Sequence, residues 1–118
     1  MSEYVDGFVI PVPTKHLTLY KRMARTASKV WRELGAVDYR ECVGDDLEVE
    51  KMTSFPKCAK AKPGETVVFS WITYKSRAHR DEVNAKVMQD PRIRKMMAKD
   101  MPFNTKRMVY GGFKTIVT

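Results

Sequence analysis

The stretch Thr66-Val-Val-Phe-Ser-Trp-Ile-Thr-Tyr74 decides the fold of this 118-residue chain. Its β-branched and aromatic residues predict a strand, the strongest in the sequence. Its bulky apolar side chains alternate between two faces, with Val67, Phe69 and Trp71 on one and Val68, Ile72 and Tyr74 on the other. Because a strand that is apolar on both faces is buried on both faces, this segment needs cover on each side of its sheet.

The flanking segments give the order β-α-β-β-α-β. The predicted strands are Tyr4–Val12, Ala36–Val43, Thr66–Tyr74 and Met108–Val117. The predicted helices run from an N-cap at Thr14 to a stop at Gly35, from a cap at Ser76 to about Met88, and, as shorter pieces, over Arg92–Met97 and after Pro56. We therefore predict one α+β domain over residues 1–118, a ferredoxin-like βαββαβ antiparallel sheet with two helices on one face.

The first and third predicted strands indicate that one copy of the chain is not enough. On the first strand, Val5 and Val9 oppose Tyr4, Phe8 and Ile10. In the predicted layout the helices cover only one face of the sheet, so the other face would expose more apolar area than monomers usually do. Packing two such faces together would bury roughly 2,000 Å² or more, the scale of an obligate homodimer. The alternative is that the long connection 44–65 covers this face within one copy.

Composition and short motifs narrow the classes of partner. The start of the chain, Met1–Tyr4, has no signal-peptide features, and the longest apolar stretch is too short to span a bilayer, so we expect a cytoplasmic protein without membrane contact. Cys42 and Cys58 lack the spacing of a disulfide framework or, with His16 and His79, of a zinc site. No phosphate-binding glycine loop or nucleophile elbow is present, so no metal and no cofactor are predicted.

Specific motifs spread over essentially the whole chain point to a known family. They are Tyr4-Val5-Asp6-Gly7-Phe8, Glu41-Cys42-Val43-Gly44-Asp45-Asp46, Ser54-Phe55-Pro56, Val67-Val68-Phe69-Ser70-Trp71-Ile72, Ser76-Arg77-Ala78-His79-Arg80-Asp81, Asn84-Ala85-Lys86-Val87-Met88, Met101-Pro102-Phe103 and Lys106-Arg107-Met108-x-Tyr110-Gly111-Gly112-Phe113. In these motifs the chain resembles the YbaA-like family of small bacterial proteins, a domain of unknown function in the dimeric α/β-barrel superfamily. The resemblance implies the fold and a homodimer whose two sheets form a barrel. It implies no activity.

Two carboxylates interrupt otherwise apolar strand faces, Asp6 on the first strand and Glu41 on the second. A carboxylate in a dry barrel could serve as a catalytic acid or base. The alternative is a carboxylate at the rim of the sheet, solvated or paired with an arginine such as Arg40 or Arg107.

His79 is a third catalytic candidate. It follows the predicted cap Ser76 by three residues, so it lies in the first turn of a helix, where the helix dipole favours the neutral imidazole. Arg77 and Arg80 flank it and could hold an anionic substrate. The alternative is an exposed, charged helix start.

Aromatic side chains on the strands are candidates for the wall of a ligand cleft. They are Tyr39, Trp71, Tyr74 and Tyr110, with Ser70 as a polar contact. Five methionines, Met88, Met96, Met97, Met101 and Met108, would suit an adaptable apolar gate. The alternative for both sets is an ordinary core.

These candidates favour binding of a small organic ligand in a cleft of the dimer, with or without cofactor-free turnover. Net charge of +8 supports a second class, RNA or another polyanion. The basic residues concerned are Lys15, Arg22, Arg25, Lys29 and Arg32 on the outer face of the first helix and Lys57, Lys60 and Lys62 in the long loop. Nucleic acid ranks lower because no motif of the common RNA modules is present. A structural dimer without a ligand is the third class.

Overall fold

Two central strands, β1 (Tyr4–Pro13) and β3 (Glu65–Tyr74), organise the sheet. The computed structural model describes residues 3–118. β1 pairs antiparallel with β3 on one side and with β4 (Val109–Lys114) on the other, and β2 (Asp38–Val43) pairs antiparallel with β3. The strand order is therefore β2-β3-β1-β4. The prediction of an α+β protein with a four-stranded antiparallel sheet is confirmed.

Helices cover one face of this sheet. They are α1 (Leu17–Glu33), α3 (Arg77–Gln89) and α4 (Pro91–Met97), while the short α2 (Phe55–Ala59) belongs to the connection between β2 and β3. The core between sheet and helices includes Val30 of α1, Tyr74 of β3, Val87 of α3 and Ile93 of α4. Over residues 3–118, no helix is both long enough and apolar enough to cross a bilayer.

Short-range signals placed most helix ends correctly. The Ser76 hydroxyl accepts a hydrogen bond from the His79 backbone N–H at 3.1 Å, and Gly35 ends α1 with a φ of +124°. The predicted cap at Thr14 was wrong. Its backbone N–H donates to the Gly64 carbonyl at 2.9 Å, so Thr14 is tied to the end of the sheet and opens a 3-10 turn, and α1 begins three residues later.

Gly111 and Gly112 lie in a regular part of β4. Each has a single partner on β1, Gly7 and Asp6 respectively, so β4 has no bulge at this point. The Tyr4 ring lies across Gly112, where a Cβ atom would collide with it.

The second face of the sheet is only partly covered. Phe55 of α2 packs edge-on against Phe69, with ring centroids 5.7 Å apart. Even so, Phe69 is 40% exposed, and on β4 Val109 is 44% and Phe113 62% exposed. The long connection therefore shields one part of the face, and a band of apolar side chains stays open in the single chain.

A bidentate ion pair between Glu65 and Arg107 links the start of β3 to the 3-10 turn before β4. Arg107 donates from Nη1 to Glu65 Oε2 at 2.7 Å and from Nη2 to Oε1 at 2.8 Å, and it also reaches the Lys60 carbonyl. The Arg107 hydrogen bonds lower the pKa of Glu65 from 4.5 to about 2.

We predict that this pair makes stability depend on acid pH. A carboxyl whose pKa is depressed in the folded state stabilises fully above its unfolded pKa, and the contribution is lost as pH falls from 4.5 towards 2. Glu65→Gln should therefore lower the free energy of unfolding at pH 7 and flatten its decline over that acid range, measured by urea denaturation. Glu82→Gln, which removes only an exposed pair with Lys86, is the control and should keep the wild-type decline.

Candidate functional site

A cavity of about 620 Å³ lies between the sheet and the helices. Its walls are mostly apolar and include six methionines, Met23, Met88, Met96, Met97, Met101 and Met108. The five methionines predicted as a gate all line it. The cavity exists because the side chains that face each other here are small: Ala24 and Ala27 on α1, and Ser70 on β3.

Two rows of side chains that run across the sheet contribute to the floor. One row is Glu41, Ser70, Phe8 and Tyr110, and the next is Tyr39, Ile72 and Asp6. The two predicted carboxylates thus line one cavity from β2 and β1, which are separated by β3. Two strand spacings across and two residues along the sheet put their Cα atoms roughly 12 Å apart.

Asp6 belongs to a buried, charge-compensated cluster. It is 1% exposed, and its Oδ1 accepts from Arg80 Nη1 at 2.8 Å and from the Tyr110 hydroxyl at 3.1 Å. The Arg80 guanidinium also lies 5.0 Å from the Tyr4 ring centre, a cation–π geometry. Burial by itself would lower the pKa of Arg80, but the Asp6 carboxylate and the neighbouring tyrosines outweigh it and the pKa is raised. Arg80, rather than Arg40 or Arg107, supplies the partner.

Glu41 is held differently, by two neutral donors. The Tyr20 hydroxyl donates to Oε1 at 2.6 Å and the Tyr39 hydroxyl to Oε2 at 2.7 Å. Burial, followed by the negative charge of Glu41, raises the pKa of both tyrosines, so they stay protonated and remain donors. No Lys, Arg or His within residues 3–118 forms an ion pair with this carboxylate.

A third polar cluster, formed by Trp31, Tyr74 and Asn84, lies at the wall of the cavity. Trp31 Nε1 donates to the Tyr74 hydroxyl at 3.1 Å and to Asn84 Oδ1 at 3.2 Å, and the Tyr74 hydroxyl donates to the same Oδ1 at 3.1 Å. Tyr74 is fully buried, and burial raises its pKa. It therefore fixes Trp31 and Asn84, which line the cavity, rather than facing a ligand itself.

A second, smaller recess of about 270 Å³ lies on the outside of the same wall, between α1 and β2. It is lined by Lys21, Arg25 and Ser28 of α1 and by the exposed Cys42 of β2. It shares Tyr20, Tyr39, Glu41 and Ala24 with the cavity. The Glu41 cluster is thus the partition between the two spaces.

Besides Tyr74, the structure separates three more predicted site residues from the cavity. His79 Nδ1 accepts from the Lys75 backbone N–H at 3.0 Å, and its ring packs edge-on against Tyr74, so it closes the start of α3. Arg77 is exposed at the same helix start. Trp71 lies on the opposite face of the sheet, against Phe69. Alternation along β3 explains this last separation, because odd-numbered residues of the strand point away from the helices.

Sequence reasoning missed Tyr20, Trp31 and Asn84 as functional candidates. Tyr20 and Trp31 lie on α1, where large aromatic side chains usually serve as core. A recognisable signal did exist, because buried Tyr and Trp usually place their O–H and N–H on a partner.

The basic side chains predicted on the outer face of α1 are mostly exposed, while Arg32 pairs with Asp38 at 3.1 Å. Both aromatic residues of α1, Tyr20 and Trp31, line the cavity. The outer face of α1 therefore offers charge for a polyanion but no aromatic surface on which bases could stack. Within the described part of the chain, no group of His, Cys, Asp or Glu side chains is arranged to hold a metal ion.

Comparison with known proteins assigns the chain to a family. Residues 3–105 match the family model described as "Protein of unknown function (DUF1428)". The chain belongs to this family. It is 45% identical over 115 residues to "Uncharacterized protein YbaA" of Escherichia coli strain K12 and of Shigella flexneri, covering 98% of this chain and 97% of each relative. The YbaA-like resemblance inferred from the motifs is confirmed.

A solved structure shares the fold of this DUF1428 protein. It is described as "Structure of Rv0793 from Mycobacterium tuberculosis", and it aligns with a TM-score of 0.55 at 17% identity over 100% of this chain and 98% of that one. At this identity the likeness supports the fold alone.

We predict that the Asp6–Arg80 pair is essential for stability. Asp6→Asn should lower the free energy of unfolding by about 3 kcal/mol, because it leaves a largely buried guanidinium without its buried counter-charge. Adding Arg80→Met should restore part of that loss. The control Asp81→Asn, which removes the exposed carboxylate on the same arginine, should cost less than about 1 kcal/mol. Equal losses for Asp6→Asn and Asp81→Asn in chemical denaturation would contradict the assignment.

Proposed function

We propose that the chain folds as one ferredoxin-like domain, forms a homodimer of the dimeric α/β-barrel type, and binds a small organic ligand between its sheet and helices. The cavity of about 620 Å³ is the observation that carries the ligand-binding part. The ligand site differs from the sequence-based expectation of a cleft walled by Trp71, because it lies on the helix side of the sheet within each copy.

The composition of the cavity matches that of small-molecule sites. Such sites measure about 300–1,000 Å³ and combine apolar walls with a few fixed polar groups. Here the polar groups are the Asp6 and Glu41 clusters, Ser70 and Asn84. Each carboxylate is immobilised by two hydrogen bonds, so its orientation is set before a ligand arrives. A carboxylate in this position could also accept a proton from a bound ligand, so the proposal covers binding with or without turnover.

Access to the cavity is provided at its rim. Tyr110 is 50% exposed, Met88 46% and Met97 57%, although all three line the cavity. Methionine side chains are flexible and change rotamer at little cost, so they can admit a ligand and then close around it.

The open face of the sheet supports the dimer. Phe69, Trp71, Val109 and Phe113 lie on the face away from α1, α3 and α4, and α2 covers only part of it. Packing two of these faces together removes the exposed apolar band and places the open sides of the two sheets in one interior.

The dimer predicts a specific response to a charge on the open face. The wild type should sediment as a dimer at micromolar concentration, and Phe113→Glu should sediment as a monomer because two carboxylates would be buried in the interface. Leu19→Glu is the control, since Leu19 is 42% exposed on α1 outside that face, and it should remain dimeric. A wild type that sediments as a monomer would defeat the proposed assembly.

The cavity predicts binding of an apolar probe. N-phenylnaphthylamine, whose fluorescence rises in apolar surroundings, should bind the wild type and lose at least about tenfold in affinity in Ala27→Leu, because the added side chain fills the cavity. Ala85→Leu places the same change on the exposed surface of α3 and should bind like the wild type. Equal affinity in the two variants would place the probe elsewhere and reject this site.

A further inference from the structure

The charged side chains that line the cavity are all acidic. Among residues 3–118, the side chains that line it include two carboxylates, Asp6 and Glu41, and no Lys, Arg or His. Arg80 is paired with Asp6, and Lys21 and Arg25 line the outer recess on the far side of the Tyr20–Glu41–Tyr39 partition. A ligand inside the cavity therefore meets negative groups without a cation on the cavity surface.

The two carboxylates differ in how their charge is balanced. Asp6 forms an ion pair with Arg80 at 2.8 Å, so the cluster is close to neutral as a whole. Glu41 has only the two phenols, which stabilise its charge by hydrogen bonds but do not cancel it. Glu41 is consequently the uncompensated negative group of the cavity.

The Glu41 cluster offers a ligand hydrogen-bond acceptors rather than phenol donors. A carboxylate offers about four acceptor positions, and the tyrosines occupy one on each oxygen. Each phenol has a single O–H, which is already directed at Glu41. Acceptor positions on Glu41 remain for a ligand, whereas the two phenol donors are in use.

We infer that the cavity selects a ligand with an apolar body that carries a hydrogen-bond donor, most favourably a cationic amine, and that Glu41 receives that donor. This inference rests on the proposed ligand-binding function. It excludes carboxylates and phosphates as preferred ligands, because an anion would face Glu41 without a counter-charge. It also reverses the sequence-based expectation that Arg77 and Arg80 hold an anionic substrate, since Arg77 lies outside the cavity and Arg80 is committed to Asp6.

Three probes with the same ring system test the selection on the full-length protein. Naphthylmethylamine is cationic at neutral pH, methylnaphthalene has neither charge nor donor, and naphthylacetate is anionic. In calorimetric titrations of the wild type, the amine should bind at least about tenfold more tightly than methylnaphthalene, and the acetate at least about tenfold more weakly.

Substitutions at the partition assign the preference to Glu41. Glu41→Gln should weaken binding of the amine until the amine and methylnaphthalene lie within about threefold of each other. Tyr39→Phe keeps the carboxylate and frees one of its acceptor positions, so it should retain the amine preference. Glu82→Gln, an exposed carboxylate on α3, is the matched control and should behave as the wild type.

The outcomes separate the two proposals. Binding of all three probes that is lost in Ala27→Leu but shows no order by charge would overturn the selection and leave the cavity as a ligand site. An amine preference that persists in Glu41→Gln would overturn the role of Glu41. Failure of all three probes to bind would overturn the ligand-binding function and the selection together.

Discussion

The apolar character of both faces of the central strands is the constraint on which the rest of the structure depends. β3 places Val68, Ile72 and Tyr74 towards the helices and Phe69 and Trp71 away from them. The first set is covered by α1, α3 and α4, which bury Tyr74 completely. The second set is covered only in part by α2 within one chain. A sheet with two apolar faces thus produces both the core and the surface proposed for the homodimer.

Two carboxylates on the helix side of this sheet turn part of the core into a candidate site. A buried charge is costly unless it is paired or hydrogen-bonded, and the chain meets this cost in two ways. Asp6 has a cation, Arg80, whereas Glu41 has two phenols. The same contacts that make the carboxylates tolerable also fix their positions, and the small side chains of α1 leave space above them.

Much of the fold was predictable because its signals are local. Alternation and β-branching placed the four strands to within a few residues, and the caps at Ser76 and Gly35 were correct. The cap at Thr14 failed because a 3-10 turn, Thr14–His16, intervenes and puts His16 at the N-cap of α1. The site was only partly predictable. Asp6, Glu41, Tyr39, Ser70 and Tyr110 line the cavity, while His79, Arg77, Trp71 and Tyr74 lie outside it.

The sequence by itself determined the α+β class, the membership suggested by the YbaA-like motifs, and the presence of carboxylates on apolar strands, because each depends on neighbouring residues or on residue identity. Only the tertiary structure decided that Asp6 pairs with Arg80 and that Tyr20 and Tyr39 both donate hydrogen bonds to Glu41. It also decided that the cavity lies on the helix-covered face of the sheet. Those contacts join residues up to 74 positions apart. Their choice among competing arginines and tyrosines is set by strand register and helix docking, which local patterns do not encode.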